Sequence, residues 1–232
     1  MLSYSVKSYM NLKSINADLM QQVAELEQEV QKAKHEIIFL SEKAYPADIQ
    51  HFVAIYPNKY SFISAQVVNN QVARSDNNFI TLNRGSLSGI AEDMGVLSTS
   101  GIVGVVERVT PHFSKVRPIV NPKYQPNCKI KRTNYPGTLS WDGKDTRYSS
   151  LKELPQHAEF NIGDTIVTSG NSTVFPEGVP VGVIENTYRE KGESYNSVRV
   201  KLFTNFSALS EVLIVVNALK EEQLSIEKGE IE

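Results

Sequence analysis

Ser169, in the run Val167-Thr-Ser-Gly170, is the residue whose setting best suits a nucleophile, with His51 or His112 as its base. Two β-barrels carrying Ser, His and Asp would be the arrangement of a double-barrel serine peptidase, in which the base takes the hydroxyl proton as the oxygen attacks a carbonyl. The Gly-Asp-Ser-Gly context expected of that chemistry is absent, because Gly163-Asp164 is followed by Thr165-Ile-Val. Gly137 to Asp145 superficially resembles a phosphate loop but holds one residue too many between its glycines. Asp145 also stands where a metal-binding Ser or Thr should be, and its carboxylate would repel phosphate. His35, His51, His112 and His157 are scattered, with no H-E-x-x-H and no Cys/His ligand pairing. Neither a metal nor a cofactor is expected, and the reading is of a protein without catalysis. Cys128 is the single cysteine, so no intrachain disulfide can form.

Aromatic side chains are the other carriers of function. Trp141 and Tyr148 flank the polar loop Asp142–Arg147, and Tyr135-Pro136 lies just before it. Aromatics grouped on a loop are typical anchors of a protein interface. The alternative, that Trp141 fills a barrel interior, stays open. A net charge of −2 gives no electrostatic reason to expect nucleic acid. The cluster Lys129, Lys131, Arg132 is then a solvated strand face.

These residues must be positioned by two kinds of element. Leu12, Asn16, Leu19, Val23, Leu26, Val30, Ala33, Ile37 and Leu40 step along the chain by alternating fours and threes. With Leu12, Leu19, Leu26, Ala33 and Leu40 at d, the a positions are Asn16, Val23, Val30 and Ile37. β-Branched residues at a with Leu at d favour a parallel two-stranded coiled coil, and one Asn at a pins its register. Glu29 and Lys34 form an attractive interchain pair in that arrangement, worth about 0.2–1 kcal/mol when exposed. A helix from about residue 6 to 42 would be on the order of 55 Å long. The alternative is one amphipathic helix lying on its own globular domain, which would call for a wider apolar stripe.

Proline disfavours helix for the residue before it, so the helix ends near Tyr45-Pro46. Short β-rich runs follow, at His51–Tyr56, Tyr60–Val68, Phe79–Leu82, Val96–Thr99, Ile102–Val109, Lys115–Val120, Cys128–Arg132, Thr138–Trp141, Thr165–Thr168, Val181–Glu185, Ser197–Phe203 and Val212–Val216. Gly101-Ile-Val-Gly104-Val-Val-Glu107 recurs loosely as Gly178-Val-Pro-Val-Gly182-Val-Ile-Glu185, which argues two similar β units. The expected fold is mainly β with a long N-terminal α-helix: a parallel dimeric coiled coil over residues 1–43, then two small β-barrel-like domains over 44–125 and 126–217. The last strand, near Val212–Val216, has the option of returning to the first barrel. Residues 218–232, rich in Glu and Lys, are expected to be a disordered tail. No window approaches the roughly twenty apolar residues that span a bilayer, and the start lacks the apolar core of a signal peptide. A membrane anchor removed upstream would leave just such a beginning.

Asn83-Arg-Gly85-Ser86-Leu-Ser-Gly89-Ile90, Gly95-Val96 and Gly101-Ile-Val-Gly104-Val-Val resemble the rod shape-determining protein MreC family. The resemblance continues through Gly163-Asp164-Thr-Ile-Val-Thr-Ser-Gly170 and Phe175-Pro176-Glu-Gly178-Val-Pro-Val-Gly182-Val. It implies a non-enzymatic scaffold of the bacterial cell-elongation machinery, on the extracytoplasmic (periplasmic) face of the inner membrane and anchored by a helix upstream of this chain. It implies a homodimer with further self-association, and contacts with a penicillin-binding transpeptidase and other membrane proteins of peptidoglycan synthesis. Unpaired strand edges would offer one route to self-association. A periplasmic adaptor of a secretion or efflux system is the alternative, although such adaptors insert a helical hairpin into the β region.

Overall fold

The computed structural model describes residues 59–73, 77–188 and 196–229, all within one compact unit. The heptad segment and the expected strand His51–Tyr56 lie outside the described residues. Alternation of apolar and polar side chains sets the strand faces. In β11 (Asn196–Leu202), Val198, Val200 and Leu202 are buried while Arg199 and Lys201 are exposed, the pattern of a strand with one wet face. In β4 (Ile102–Val109) the first five residues are buried in succession, which marks a strand covered on both faces.

The other strands are β1 (Tyr60–Gln71), β2 (Phe79–Leu82), β3 (Gly95–Leu97), β5 (Ser114–Pro118), β6 (Asn127–Ile130), β7 (Pro136–Ser140), β8 (Tyr148–Leu154), β9 (Thr165–Thr168), β10 (Pro180–Tyr188) and β12 (Glu211–Asn217). They form two closed six-stranded barrels, ordered β1-β12-β3-β4-β5-β2 and β10-β11-β8-β7-β6-β9. Every neighbouring pair is antiparallel, as in Tyr60↔Asn217 of β1 and β12 and Cys128↔Thr168 of β6 and β9. The second barrel is a continuous stretch of chain. The first is closed by β12, which arrives from beyond the second and inserts between β1 and β3.

Three expectations change here. Closure gives each described strand two neighbours, so no free strand edge is available among the described residues for self-association. β8 is not among the strands that the sequence pattern predicts. Its period of two breaks at a bulge, where Glu153 has φ 63° and the β8–β11 register shifts between Asn196 and Val198. The tail is not wholly disordered, because α1 (Lys220–Lys228) is a helix. Glu221 and Glu222 in its first turn and Lys228 in its last complement the macrodipole. Gly229, at φ 71°, closes the end by donating to the Ile226 carbonyl, and Lys220 Nζ donates to the Glu92 carbonyl at 3.2 Å. None of the described helices is long and apolar enough to cross a membrane.

The barrels meet at a polar joint. Where the chain leaves β11, Thr204 Oγ1 donates to the Ile102 carbonyl at 2.8 Å and lies 3.2 Å from Ser98 Oγ. Both side chains are buried, so these bonds satisfy groups that water cannot reach. Asn217 Nδ2 adds a bond to the Thr173 carbonyl at 3.1 Å. A Cβ at Gly101 would lie 2.4 Å from the Pro180 carbonyl oxygen, a contact no side chain tolerates. The first barrel's β3–β4 turn can therefore sit against the second barrel's β10 only because residue 101 has no side chain.

Candidate partner-binding surfaces

The three aromatics singled out by sequence have three different fates. Trp141, just after β7, is 2% exposed and its Nε1 donates to the Asp145 carbonyl at 3.0 Å. It is a buried post that holds the β7–β8 loop, and not the exposed anchor its position suggested. A large ring at a barrel mouth removes more surface from water by turning inward, and its one donor finds a carbonyl there.

Tyr148, at the start of β8, is half-buried in a cluster assembled from three strands. Its hydroxyl donates to Glu185 Oε1 of β10 at 3.2 Å. The Arg199 guanidinium of β11 lies 4.1 Å from its ring centroid, with Arg147 at 5.5 Å. Arg199 Nε also stands 3.7 Å from Glu185 Oε2. A cation over a tyrosine face is attracted by the ring quadrupole, so the ring is held in place and part of its face is already covered. Beside it runs an open cleft of about 600 Å³ lined by Trp141, Asp142, Lys144, Tyr148, Asn186 and Arg199. Tyr135 lies before β7, in edge contact with His157 at 5.5 Å between centroids. The β7–β8 register, Thr138↔Lys152 and Ser140↔Ser150, places Tyr135 and Tyr148 at opposite ends of that hairpin. They do not form one patch.

The hydroxyl of the candidate nucleophile is engaged by backbone groups. Ser169 Oγ donates to the Asn127 carbonyl at 3.2 Å and accepts from the Asn171 amide at 3.2 Å. His112 is exposed in the β4–β5 turn, His157 packs on Tyr135, and His51 and His35 lie outside the described residues. Cys128 is fully buried in β6, and burial pushes its thiol up to about 12. Such a group stays a thiol and behaves as a small apolar side chain. Among the described residues no three His, Cys, Asp or Glu side chains are grouped to hold a metal.

Two members of the basic cluster are engaged in ion pairs, while Lys131 is exposed. Lys129 pairs with Glu177, and Arg132 clasps Asp164 through Nε at 3.1 Å and Nη2 at 2.9 Å. Those bonds, with a further one from the Asn161 amide, hold the Asp164 carboxyl below its ordinary value. On the first barrel, partial burial pushes Glu107 up, but hydrogen bonds from Arg117 and Lys115 and their charges outweigh it, leaving the carboxyl below its usual value. Leu87 and Phe113 also stand exposed on facing loops of the first barrel. The block Asn83–Ile90 was visible as a motif, but exposure is not written in a local pattern.

The model of the family described as "Rod shape-determining protein MreC, barrel core" matches residues 67–216. The chain belongs to the MreC family. The matched span begins within β1 and ends within β12, so it takes in both barrels and the joint. A Listeria monocytogenes cell shape-determining protein MreC is 30% identical over 176 residues, covering 74% of this chain and 57% of that protein. The chain thus spans little more than half the length of that relative. A solved MreC structure from the same organism superposes with a TM-score of 0.64 at 24% identity, covering 87% of this chain and 93% of the other. MreC from Helicobacter pylori, solved in complex with the penicillin-binding protein PBP2, superposes with a TM-score of 0.57 at 18% identity, covering 69% of this chain and 99% of the other. At these identities the structural likenesses speak for the fold, and the fold is the MreC pair of barrels.

Proposed function

We propose that this chain is a non-enzymatic scaffold of the bacterial cell-elongation machinery, presenting its barrels to a penicillin-binding transpeptidase outside the cytoplasmic membrane. The observation that carries the reading is the Helicobacter pylori relative, whose MreC of the same fold was solved bound to PBP2. The engagement of Ser169 and the burial of Cys128 are in keeping with a binding role. The heptad from Leu12 to Leu40 pairs two copies, with Asn16 setting register, and anchorage comes from an apolar helix preceding it. The joint at Gly101, Ser98 and Thr204 then hands both barrels to the partner in one orientation. Binding would favour one conformation of the transpeptidase, through higher affinity for that state than for the others. Tyr148 with its arginines, and Tyr135 at the far end of the β7–β8 hairpin, are partner-facing candidates on the second barrel.

Two measurements test this. Co-purification with the elongation transpeptidase of the same cell should succeed with the whole chain, and its failure at micromolar concentrations would remove the scaffold reading. Changing Leu19 and Leu26 to Glu should convert a dimer to a monomer in sedimentation equilibrium. An unchanged mass would sink the heptad assignment.

A further inference from the structure

Leu87 is 75% exposed and Phe113 50% exposed. Single exposed apolar side chains are ordinary on a protein surface. These two differ because their loops are tied together. Leu87 belongs to the tight turn Ser86–Ser88 between β2 and β3, and Phe113 to the turn between β4 and β5. The Ser86 amide donates to the Thr110 carbonyl at 3.0 Å, and the Leu87 amide to the Pro111 carbonyl at 3.2 Å. Thr110 closes its own turn three times, accepting from the Phe113 amide at Oγ1 (3.1 Å) and donating to the Phe113 carbonyl from both Oγ1 (3.0 Å) and its own amide (2.8 Å). A Cβ at Gly85 would lie 2.0 Å from the Thr110 carbonyl oxygen and 2.7 Å from the Phe113 nitrogen. Only glycine at 85 lets the loops approach this closely. The backbone therefore spends its hydrogen bonds on holding two apolar side chains out in water.

Charge narrows what they meet. Arg84 and His112 are exposed in these two loops and Arg108 is exposed near the end of β4, and residues 83–90 and 108–114 contain no Asp or Glu. None of the three makes an ion pair with a described residue. An apolar centre inside a polar, basic rim is the anatomy of a protein interface, and a pre-formed patch avoids the cost of ordering loops on binding. Ser86 and Ser88 flank Leu87 in its turn. Their hydroxyls suit the rim of a protein contact better than an acyl layer, where they would lose hydrogen bonds.

The geometry points to a docking surface on the first barrel, made by Leu87 and Phe113 within Arg84, Arg108 and His112, for a protein surface that offers an apolar slot edged by carboxylates. It rests on the scaffold reading above and assigns the partner contact to a different barrel from the aromatics Tyr135 and Tyr148.

The test uses the whole chain and the extracytoplasmic domain of the elongation transpeptidase as probe, with affinity read by surface plasmon resonance. Leu87→Glu and Phe113→Glu should each weaken binding at least ten-fold while leaving the melting temperature unchanged, since both side chains are exposed. Arg84→Glu with Arg108→Glu should weaken it several-fold, more at low salt than at high salt, and Arg84→Lys should restore most of the loss. If the unaltered chain binds and the Leu87 and Phe113 variants bind equally well, this surface is wrong and the scaffold reading stands. If the unaltered chain does not bind at all, both fall. Two further outcomes overturn the choice of partner. One is self-association that Leu87→Glu abolishes in sedimentation, which would make the occupant a second copy. The other is flotation with phosphatidylglycerol vesicles that Leu87→Glu abolishes, which would make it a lipid surface.

Discussion

The two barrels have the same number of strands and opposite histories along the chain. The second is built from β6 to β11 without interruption, so each strand finds its neighbours close in sequence. The first takes five strands from one stretch and its sixth from β12, with the whole second barrel between β5 and β12. Tyr60 pairs with Asn217 across that gap. Non-local pairing carries a loop-closure cost that must be met before the contact repays it. All six strands of the second barrel lie within one stretch of chain, whereas the first needs β12 from beyond the second, and the joint at Thr204 lies on the same return passage. The difference predicts a one-way dependence: damage to β12 should reach the first barrel and spare the second.

The largest test of that asymmetry is truncation. Ending the chain at Thr204 should leave the second barrel folded, with dispersed amide signals in a two-dimensional NMR spectrum, while the first barrel's signals collapse. Loss of both sets would show that the second barrel does not stand by itself. A smaller effect is expected at the joint. Gly101→Val should destabilise the chain by about 1–3 kcal/mol, as overpacking does, because the new side chain would meet the Pro180 carbonyl at 2.4 Å or less. Urea unfolding should then pass from one transition to two as the barrels uncouple. A single unchanged transition would mean the joint adds nothing to cooperativity.

The smallest effect concerns charge. Asp164 on the second barrel and Glu107 on the first are both held below their ordinary values, chiefly by Arg132 for the former and by Arg117 and Lys115 against partial burial for the latter. The folded state therefore binds fewer protons than the unfolded one. Their contribution is full above the unfolded values, about 3.9 for Asp and 4.3 for Glu, and fades as pH falls through the lower folded values. These pairs are partly exposed, so about 0.2–1 kcal/mol each is expected. Thermal melts between pH 7 and pH 3 should show a shallower decline for Asp164→Asn and Glu107→Gln than for the unaltered chain. Equal slopes would assign the acid sensitivity to other groups.

Much of the strand pattern was legible. Phe79–Leu82, Ile102–Val109 and Thr165–Thr168 stand out as short apolar runs between turn residues, and they are β2, β4 and β9. The glycine blocks were legible too, and they carry the family resemblance. β8 was hidden because a bulge at Glu153 interrupts its alternation, and α1 was hidden because its nine residues bury nothing and read as a charged tail. The candidate surface was half legible. Tyr148 was found, yet the Arg199 and Glu185 that hold it come from other strands. For Trp141 both readings, interface anchor and barrel interior, stood open, because the same residue suits either until its neighbours are known.

By itself the sequence determined what is local: which runs are strands, where glycine must stand, that Leu12 to Leu40 keep heptad spacing, and to which family the chain belongs. Tertiary structure alone decided that β12 closes the first barrel, that no strand edge is left open among the described residues, that Trp141 faces inward, and that Leu87 and Phe113 stand together in water. The reason is range. A strand's alternation is set by its own side chains. Closure, burial and exposure are set by what arrives from elsewhere in the chain, here from as far as Tyr60 to Asn217.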